Sequence, residues 1–218
     1  MTWLGQLYMW ATHRLYDELA WAYDVVSWCV SLGRWSSWRR GALDHVVGQR
    51  ILELGFGTGE LLSEMAERGM KPVGLDASVA MHRVTGRKLA RRGIDIPRVR
   101  GVTQCMPFAN ESFDTAVCTF PAEYILHPAT LYEVGRVLRG PDPVSGEGGG
   151  RFVMVGLTIE VELPFWQRSM GFLFGRQDTS ALERFGYLAQ AAGLRTKVLE
   201  MDRGRVRVPV VIAERTLD

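Results

Sequence analysis

Three glycines in one short run, Glu53-Leu54-Gly55-Phe56-Gly57-Thr58-Gly59, are where residue type and spacing in this 218-residue chain first imply chemistry. Glycine at such a turn lets the backbone adopt positive φ and lets a ligand approach the main chain closely. The run follows an apolar stretch, Arg50 to Leu54, and precedes an amphipathic one, Glu60 to Arg68. A glycine turn between a strand and a helix is where doubly wound folds bind nucleotides. A dinucleotide fingerprint wants a small residue at its sixth place, and that place is Glu60. A carboxylate there repels a pyrophosphate, which argues against a nicotinamide cofactor. Asp76 closes the next apolar run, Pro72 to Leu75, where a carboxylate can accept hydrogen bonds from both hydroxyls of a ribose. Glu53 is a second carboxylate, placed to orient the loop.

Other chemistries lack their residues. Cys29, Cys105 and Cys118 show no CxxC spacing, and His13, His45, His82 and His127 form no HxH or HExxH pattern. No metal site is expected. An odd, sparse cysteine count suits a reducing cytoplasm better than a disulfide framework.

These residues need elements to position them. Residues 3–30 repeat apolar side chains every three or four positions, which predicts a helix. A second helix is expected from Trp38 to Val47. Strands follow at Arg50–Leu54, Pro72–Leu75, Arg98–Val102, Phe113–Thr119 and Arg151–Leu157. Helices alternate with them: Glu60–Arg68 stopped by Gly69, Ser78–Arg92 closed by Gly93, and Pro128–Leu138. The Gly- and Pro-rich segment Gly140–Gly150 predicts a flexible loop. After a helix from Ser180 to Ala192, two strands, Leu194–Met201 and Arg205–Glu214, flank the turn Asp202-Arg203-Gly204. Alternating strands and helices predict an α/β fold. Its core is a single Rossmann-like doubly wound sheet, mostly parallel with a C-terminal antiparallel hairpin. We divide this one domain into an N-terminal helical cap (1–48), a ligand-binding core (49–157) and an acceptor-side region with the last helix and hairpin (158–218).

On this frame Glu53-Leu54-Gly55-x-Gly57-x-Gly59 and Gly74-Leu75-Asp76-Ala77-Ser78 resemble the first two motifs of class I S-adenosylmethionine-dependent methyltransferases. Met106-Pro107-Phe108, Ser112-Phe113-Asp114 and Glu133-Val134-Gly135-Arg136-Val137-Leu138-Arg139 extend the resemblance in order. Tyr16-Asp17, Tyr23-Asp24, Gly33 and Trp38-Arg39-Arg40 are similar to the front end of the menaquinone- and ubiquinone-biosynthesis branch, and to bacterial phospholipid N-methyltransferases. The resemblance covers about residues 16–157 and is specific for the cofactor rather than the acceptor. It implies S-adenosyl-L-methionine as cofactor, a sulfonium compound that carries no phosphate. It places the Gly55, Phe56, Gly57, Thr58 and Gly59 loop near the methionine part and ribose, with Glu53 as the cofactor-site carboxylate that orients the loop. Asp76 then holds the ribose hydroxyls, and Ala77 and Met81 meet the adenine. Thr103, Gln104 and Cys105 flank the adenine edge. Thr119 and Phe120 face the transferring methyl, and Tyr23 lies over the cofactor. An acid is usual near the end of the third strand, but Gly101-Val102-Thr103-Gln104 has none, so Thr103, Gln104 or backbone groups must take its place.

A general base is needed only if the acceptor must lose a proton before transfer. Glu123, Tyr124 and His127, just past the fourth strand, are the catalytic candidates, with His127 also readable as a loop histidine at a helix start. The acceptor expected is a lipophilic small molecule or lipid, either a quinone-type ring or an aminophospholipid. A small polar acceptor and a non-catalytic cofactor-binding regulator are the alternatives. Six of the seven tryptophans fall in the first 38 residues. They suit three readings: a packed cap, the lining of an apolar acceptor pocket, or contact with a membrane interface. The run from Val161 to Phe174 supplies a second apolar segment. A net charge of +2 argues against nucleic acid as partner. No apolar stretch is long enough to span a bilayer, and the location expected is cytoplasmic, with membrane association under the third reading.

Overall fold

The computed structural model describes residues 35–145, 148–157, 160–161, 179–202 and 206–216. The helix expected over residues 3–30, Tyr23, nearly all of the apolar run 161–174 and the turn residues 203–205 lie outside the described residues.

Among the described residues eight strands form one sheet: β1 (Arg50–Leu54), β2 (Lys71–Asp76), β3 (Arg98–Arg100), β4 (Thr115–Thr119), β5 (Arg151–Val155), β6 (Glu160–Val161), β7 (Leu194–Asp202) and β8 (Val206–Arg215). Their order is β3-β2-β1-β4-β5-β8, with β6 beyond β5 on one side of β8 and β7 along its other side. The neighbours from β3 through β5 are parallel, and β8 is antiparallel to all three of its neighbours.

Alternation along the strands separates two cores. Leu52, Ala116, Cys118, Phe152 and Met154 face one side, where Leu131 and Val134 of α4 (Pro128–Val137) and Phe185 of α5 (Thr179–Ala191) cover them. Ile51, Val117, Val153 and Val155 face the other. There Trp38 of α1 (Trp35–Arg40), Leu61, Leu62 and Met65 of α2 (Glu60–Glu67), and Leu89 of α3 (Val79–Arg92) pack on them. Strands covered on both faces read as continuous apolar runs, which is why β1, β4 and β5 were visible in the sequence.

Helix ends follow from named caps. Ser78 accepts from Met81 N–H at the start of α3. Gly93, at φ +66°, closes it, with Gly93 N donating to Ala90 O and Ile94 N to Leu89 O. Several boundaries differ from the sequence reading: β4 starts at Thr115 rather than Phe113, and β5 ends at Val155 rather than Leu157. The helix expected over 38–47 is α1 plus a separate 3₁₀ turn, Leu43–His45. The chain bends at Gly41, where the Met201 side chain occupies the place of a Cβ. β3 stops at Arg100, because Gly101 makes the last bond to β2 and the chain then turns, with Cys105 N donating to Val102 O. No helix among the described residues is long and apolar enough to cross a membrane.

Candidate cofactor site

Parallel register brings the carboxyl ends of three strands together. Leu54 lies beside Leu75 and Cys118, so Asp76, the glycine loop and Thr119 share one crevice. Gly55, Gly57 and Gly59 take φ of +68°, +52° and +75°, the left-handed region that a side chain disfavours. Gly57 N donates to Asp76 Oδ2 at 2.9 Å, and Ser78 N donates to Oδ1 at 2.8 Å. The carboxylate is thus aimed by two backbone donors.

Two side chains from α3 support the loop from below. Thr85 Oγ1 donates to Gly57 O at 2.7 Å, and its methyl fills the space a Cβ at Gly59 needs. His82 Nε2 lies 3.1 Å from Asp76 O; a carbonyl only accepts, so this nitrogen carries the proton. The same ring meets Phe56 edge-on at 4.8 Å. A Cβ at Gly57, in contrast, meets nothing within 4 Å. The loop is held tightly on its α3 side and open at Gly57.

Glu53 shares its strand face with Ile51 and points toward α2, where Leu62 N–H serves as hydrogen-bond donor. It supplies an acceptor to a helix whose N-cap, Gly59, has none. The residue is 2% exposed, and among the described residues its Oε2 has no hydrogen-bond partner. Burial pushes the carboxyl up to about 8, with Asp76 adding to the rise. Arg39 and the Leu62 N–H act in the opposite direction.

The far side of the crevice is built differently. Tyr124 O only accepts, so Thr130 Oγ1 donates its one proton there at 2.9 Å. Thr103 Oγ1 must therefore donate to Thr130 Oγ1, also at 2.9 Å. This directed pair of hydroxyls joins the turn after β3 to the 3₁₀ turn Glu123–Leu126 after β4. Glu133 Oε2 accepts from Met106 N at 2.6 Å, and its partner Arg136 donates to the carbonyls of Met106 and Phe108. One ion pair on α4 thus clamps the 103–108 turn.

Of the catalytic candidates, Tyr124 is half-buried. Its hydroxyl lies 3.3 Å from Cys118 Sγ and 2.5 Å from where a Cβ at Gly55 would sit. Glu123 and His127 are exposed. His127 Nδ1 accepts from Ala129 N and caps α4, the role of a helix-start histidine. Burial pushes the Cys118 thiol up to about 12, so it stays protonated near neutral pH. Phe120, at φ +51°, is one of two non-glycine residues in the left-handed region among the described residues, a strain that often marks a functional turn. Thr103 and Met81 are buried, Gln104 and Thr119 are intermediate, and Ala77 and Cys105 are exposed at the rim. The sequence reading gave no role to Thr85, Thr130, His82 or the Glu133–Arg136 pair. The available signal was a polar residue within an apolar helical stripe: Thr85 between Met81 and Leu89, and Thr130 four before Val134.

Comparison with known proteins agrees with this geometry. Residues 51–140 match the family model described as a methyltransferase domain. A demethylmenaquinone methyltransferase of Paenarthrobacter aurescens is 34% identical over 70% of this chain and 57% of its own length. One from Thermus thermophilus is 31% identical over 74% of this chain and 76% of its own. The chain thus spans under three-fifths of the first relative and about three-quarters of the second. The fold matches a geranyl diphosphate C-methyltransferase of Streptomyces coelicolor, solved with S-adenosyl-L-homocysteine, at a TM-score of 0.61. Identity is 14%, with 83% of this chain and 77% of that one covered. The chain belongs to the class I S-adenosylmethionine-dependent methyltransferases. Within that class its curated relatives carry the name demethylmenaquinone methyltransferase. S-adenosylmethionine is the cofactor of the class, and the residues present fit it. Asp76 presents its carboxylate at the crevice, the loop is open at Gly57, and among the described residues a buried carboxyl oxygen at Glu53 lacks a partner.

Proposed function

We propose that this chain methylates a lipophilic, quinone-type ring, with S-adenosylmethionine as methyl donor. The observation that carries the acceptor class is the match over about three-quarters of both chains to the Thermus demethylmenaquinone methyltransferase. The bound sulfonium supplies an already activated methyl, so the protein's task is alignment and exclusion of water.

In this reading Asp76 holds the ribose hydroxyls, and the Gly55–Gly59 backbone meets the methionine part. Ala77 and Met81 meet the adenine. The turn of Thr103, Gln104 and Cys105 lines its edge, held in place by Glu133 and Arg136. Thr119 and Phe120 face the methyl. Among the acceptor-side candidates Tyr124 is favoured, because its hydroxyl lies inside the crevice against Gly55 while His127 is committed to capping α4. Its phenol can hydrogen-bond an oxygen of the acceptor. Tyr23 and the 161–174 run remain candidates for an apolar cover. Burying an acyl chain or flat ring there gains about 25 cal/mol per Å² before association costs.

The test is turnover on demethylquinols, aminophospholipids and small polar amines in parallel, with calorimetry on S-adenosylhomocysteine as the binding control. Turnover on the quinol supports the reading. Turnover on polar amines alone overturns it, and cofactor binding with no turnover on any acceptor favours a regulatory protein.

A further inference from the structure

Residues 79–100 hold Arg83, Arg87, Lys88, Arg91, Arg92, Arg98 and Arg100 against one acid, Asp95. The whole chain has 26 Lys and Arg against 24 Asp and Glu, so the remainder is net acidic. This positive charge sits at one edge of the sheet, since β3 is its terminal strand and α3 packs beside it. Part of it is used within the fold. Lys88 and Arg92 lie 3.0 and 2.9 Å from the carboxylate of Glu60, and Arg100 Nε donates to Ala77 O.

Arg83, Arg87 and Arg91 are different. All three are exposed, and among the described residues none has an ion pair or hydrogen bond. Spaced by four, they form one row along α3, and α3 contains no acid to offset them. Like charges four apart on a helix oppose its stability, so the row gains from an external anion. Val79, 37% exposed, heads the same row, and Val102, 52% exposed, follows β3. Apolar side chains beside arginines suit the headgroup boundary of a bilayer. No Phe, Tyr or Trp occurs between residues 79 and 100, so the face offers a nucleobase nothing to stack on.

We propose that the α3 row Arg83–Arg87–Arg91 docks the chain on a membrane surface carrying anionic phospholipid. The proposal rests on the lipophilic acceptor argued above, which dissolves in bilayers; the docking tethers the chain where that acceptor is concentrated. The contact itself needs only headgroup charge, and it weakens as salt screens it.

The experiment is flotation of the full chain with phosphatidylcholine vesicles, with and without phosphatidylglycerol. Flotation is expected with the anionic vesicles alone, and high salt should abolish it. Each arginine at such a surface contributes roughly a fivefold gain in partitioning. The triple variant Arg83→Glu, Arg87→Glu, Arg91→Glu should therefore lose at least roughly a hundredfold. Its affinity for S-adenosylhomocysteine should be unchanged, which establishes its fold. If charge reversal unfolds it, the triple glutamine variant gives the same reading, and the triple lysine variant should retain flotation. Absence of flotation with anionic vesicles, or a reversed variant that floats like the parent chain, overturns the proposal. So does binding to transfer RNA without binding to vesicles, which assigns the row to nucleic acid. Failure of the quinol reading shows in the turnover screen, whereas this proposal fails in flotation.

Discussion

The two walls of the crevice hold their shape by different means. On the glycine-loop wall, backbone groups do most of the work. Gly57 N and Ser78 N aim Asp76, Gly55 N reaches Leu75 O, and three residues sit in conformations only glycine adopts easily. On the far wall, side chains of α4 reach across: Thr130 to Thr103 and Tyr124, and Glu133 with Arg136 to the 103–108 turn. A wall made by backbone conformation has little tolerance, since one added methyl changes φ or collides. A wall made by side-chain hydrogen bonds degrades bond by bond, and an isosteric polar residue can restore it.

The largest effect expected from this contrast is at Asp76. Asp76→Ala removes the proposed acceptor for two ribose hydroxyls and also frees Gly57 N and Ser78 N. Affinity for S-adenosylhomocysteine, read by calorimetry, should fall by about 2–4 kcal/mol. Unchanged affinity breaks the assignment of this wall to the cofactor.

Next come the glycines, which should separate two effects. Gly59→Ala places a methyl against Thr85 at φ +75°. The left-handed conformation costs about 1–2 kcal/mol, and displacing Thr85 from Gly57 O costs about 1 more. Melting should drop by roughly 5–10 °C. At Gly57 the protein leaves room for a Cβ, so Gly57→Val should keep the fold at only the conformational cost while abolishing cofactor binding. Equal melting temperatures for the two variants, or normal cofactor binding by Gly57→Val, would show that the loop is not gripped on one side and open on the other.

Thr130→Val tests the far wall. It leaves the buried Thr103 hydroxyl only its longer contact to Gln104 Oε1 at 3.4 Å and takes one donor from the Tyr124 carbonyl, which keeps His127 N, at about 1–3 kcal/mol. Chemical denaturation should show that loss, and Thr130→Ser should recover most of it. A serine variant as unstable as the valine one would mean that packing, not the directed hydroxyl pair, holds this wall.

The smallest effect at acidic pH is expected from Glu53→Gln. The folded chain holds the Glu53 proton up to about 8, against an ordinary value of 4.5. Its contribution to stability is thus complete below about 4.5 and is lost as pH rises through about 8. Near pH 4, where the carboxyl is protonated in the folded and the unfolded chain alike, the acid and the amide are close in shape, and stability should differ by less than about 0.5 kcal/mol. As pH rises from about 4.5 to about 8 the glutamine variant should become progressively the more stable of the two. A parent chain that gains stability between pH 6 and 9 relative to the variant would reverse the sign and place the carboxylate in a charged, paired state.

Much of this molecule was determined by local sequence. The strands β1, β4 and β5 are apolar because both faces are covered. The glycine loop is legible because positive φ excludes most other residues. Asp76 is legible because it stands at a strand end, and α3 is bracketed by Ser78 and Gly93, whose capping geometry is set within a few residues. The sequence also located the turn after β4, with Glu123, Tyr124 and His127 in it, but not their separate surroundings. Only the folded chain put Tyr124 against Gly55 and gave His127 to the helix cap. Only the folded chain paired Thr103 with Thr130, 27 residues away, and closed α1 early by seating Met201 on Gly41. It also buried Glu53 with one oxygen unpartnered among the described residues, which turned an ordinary carboxylate into one that keeps its proton. The division has a physical cause. Backbone conformation and burial period are properties of neighbours in the chain, whereas desolvation and side-chain hydrogen bonds depend on which distant segments the sheet order brings together.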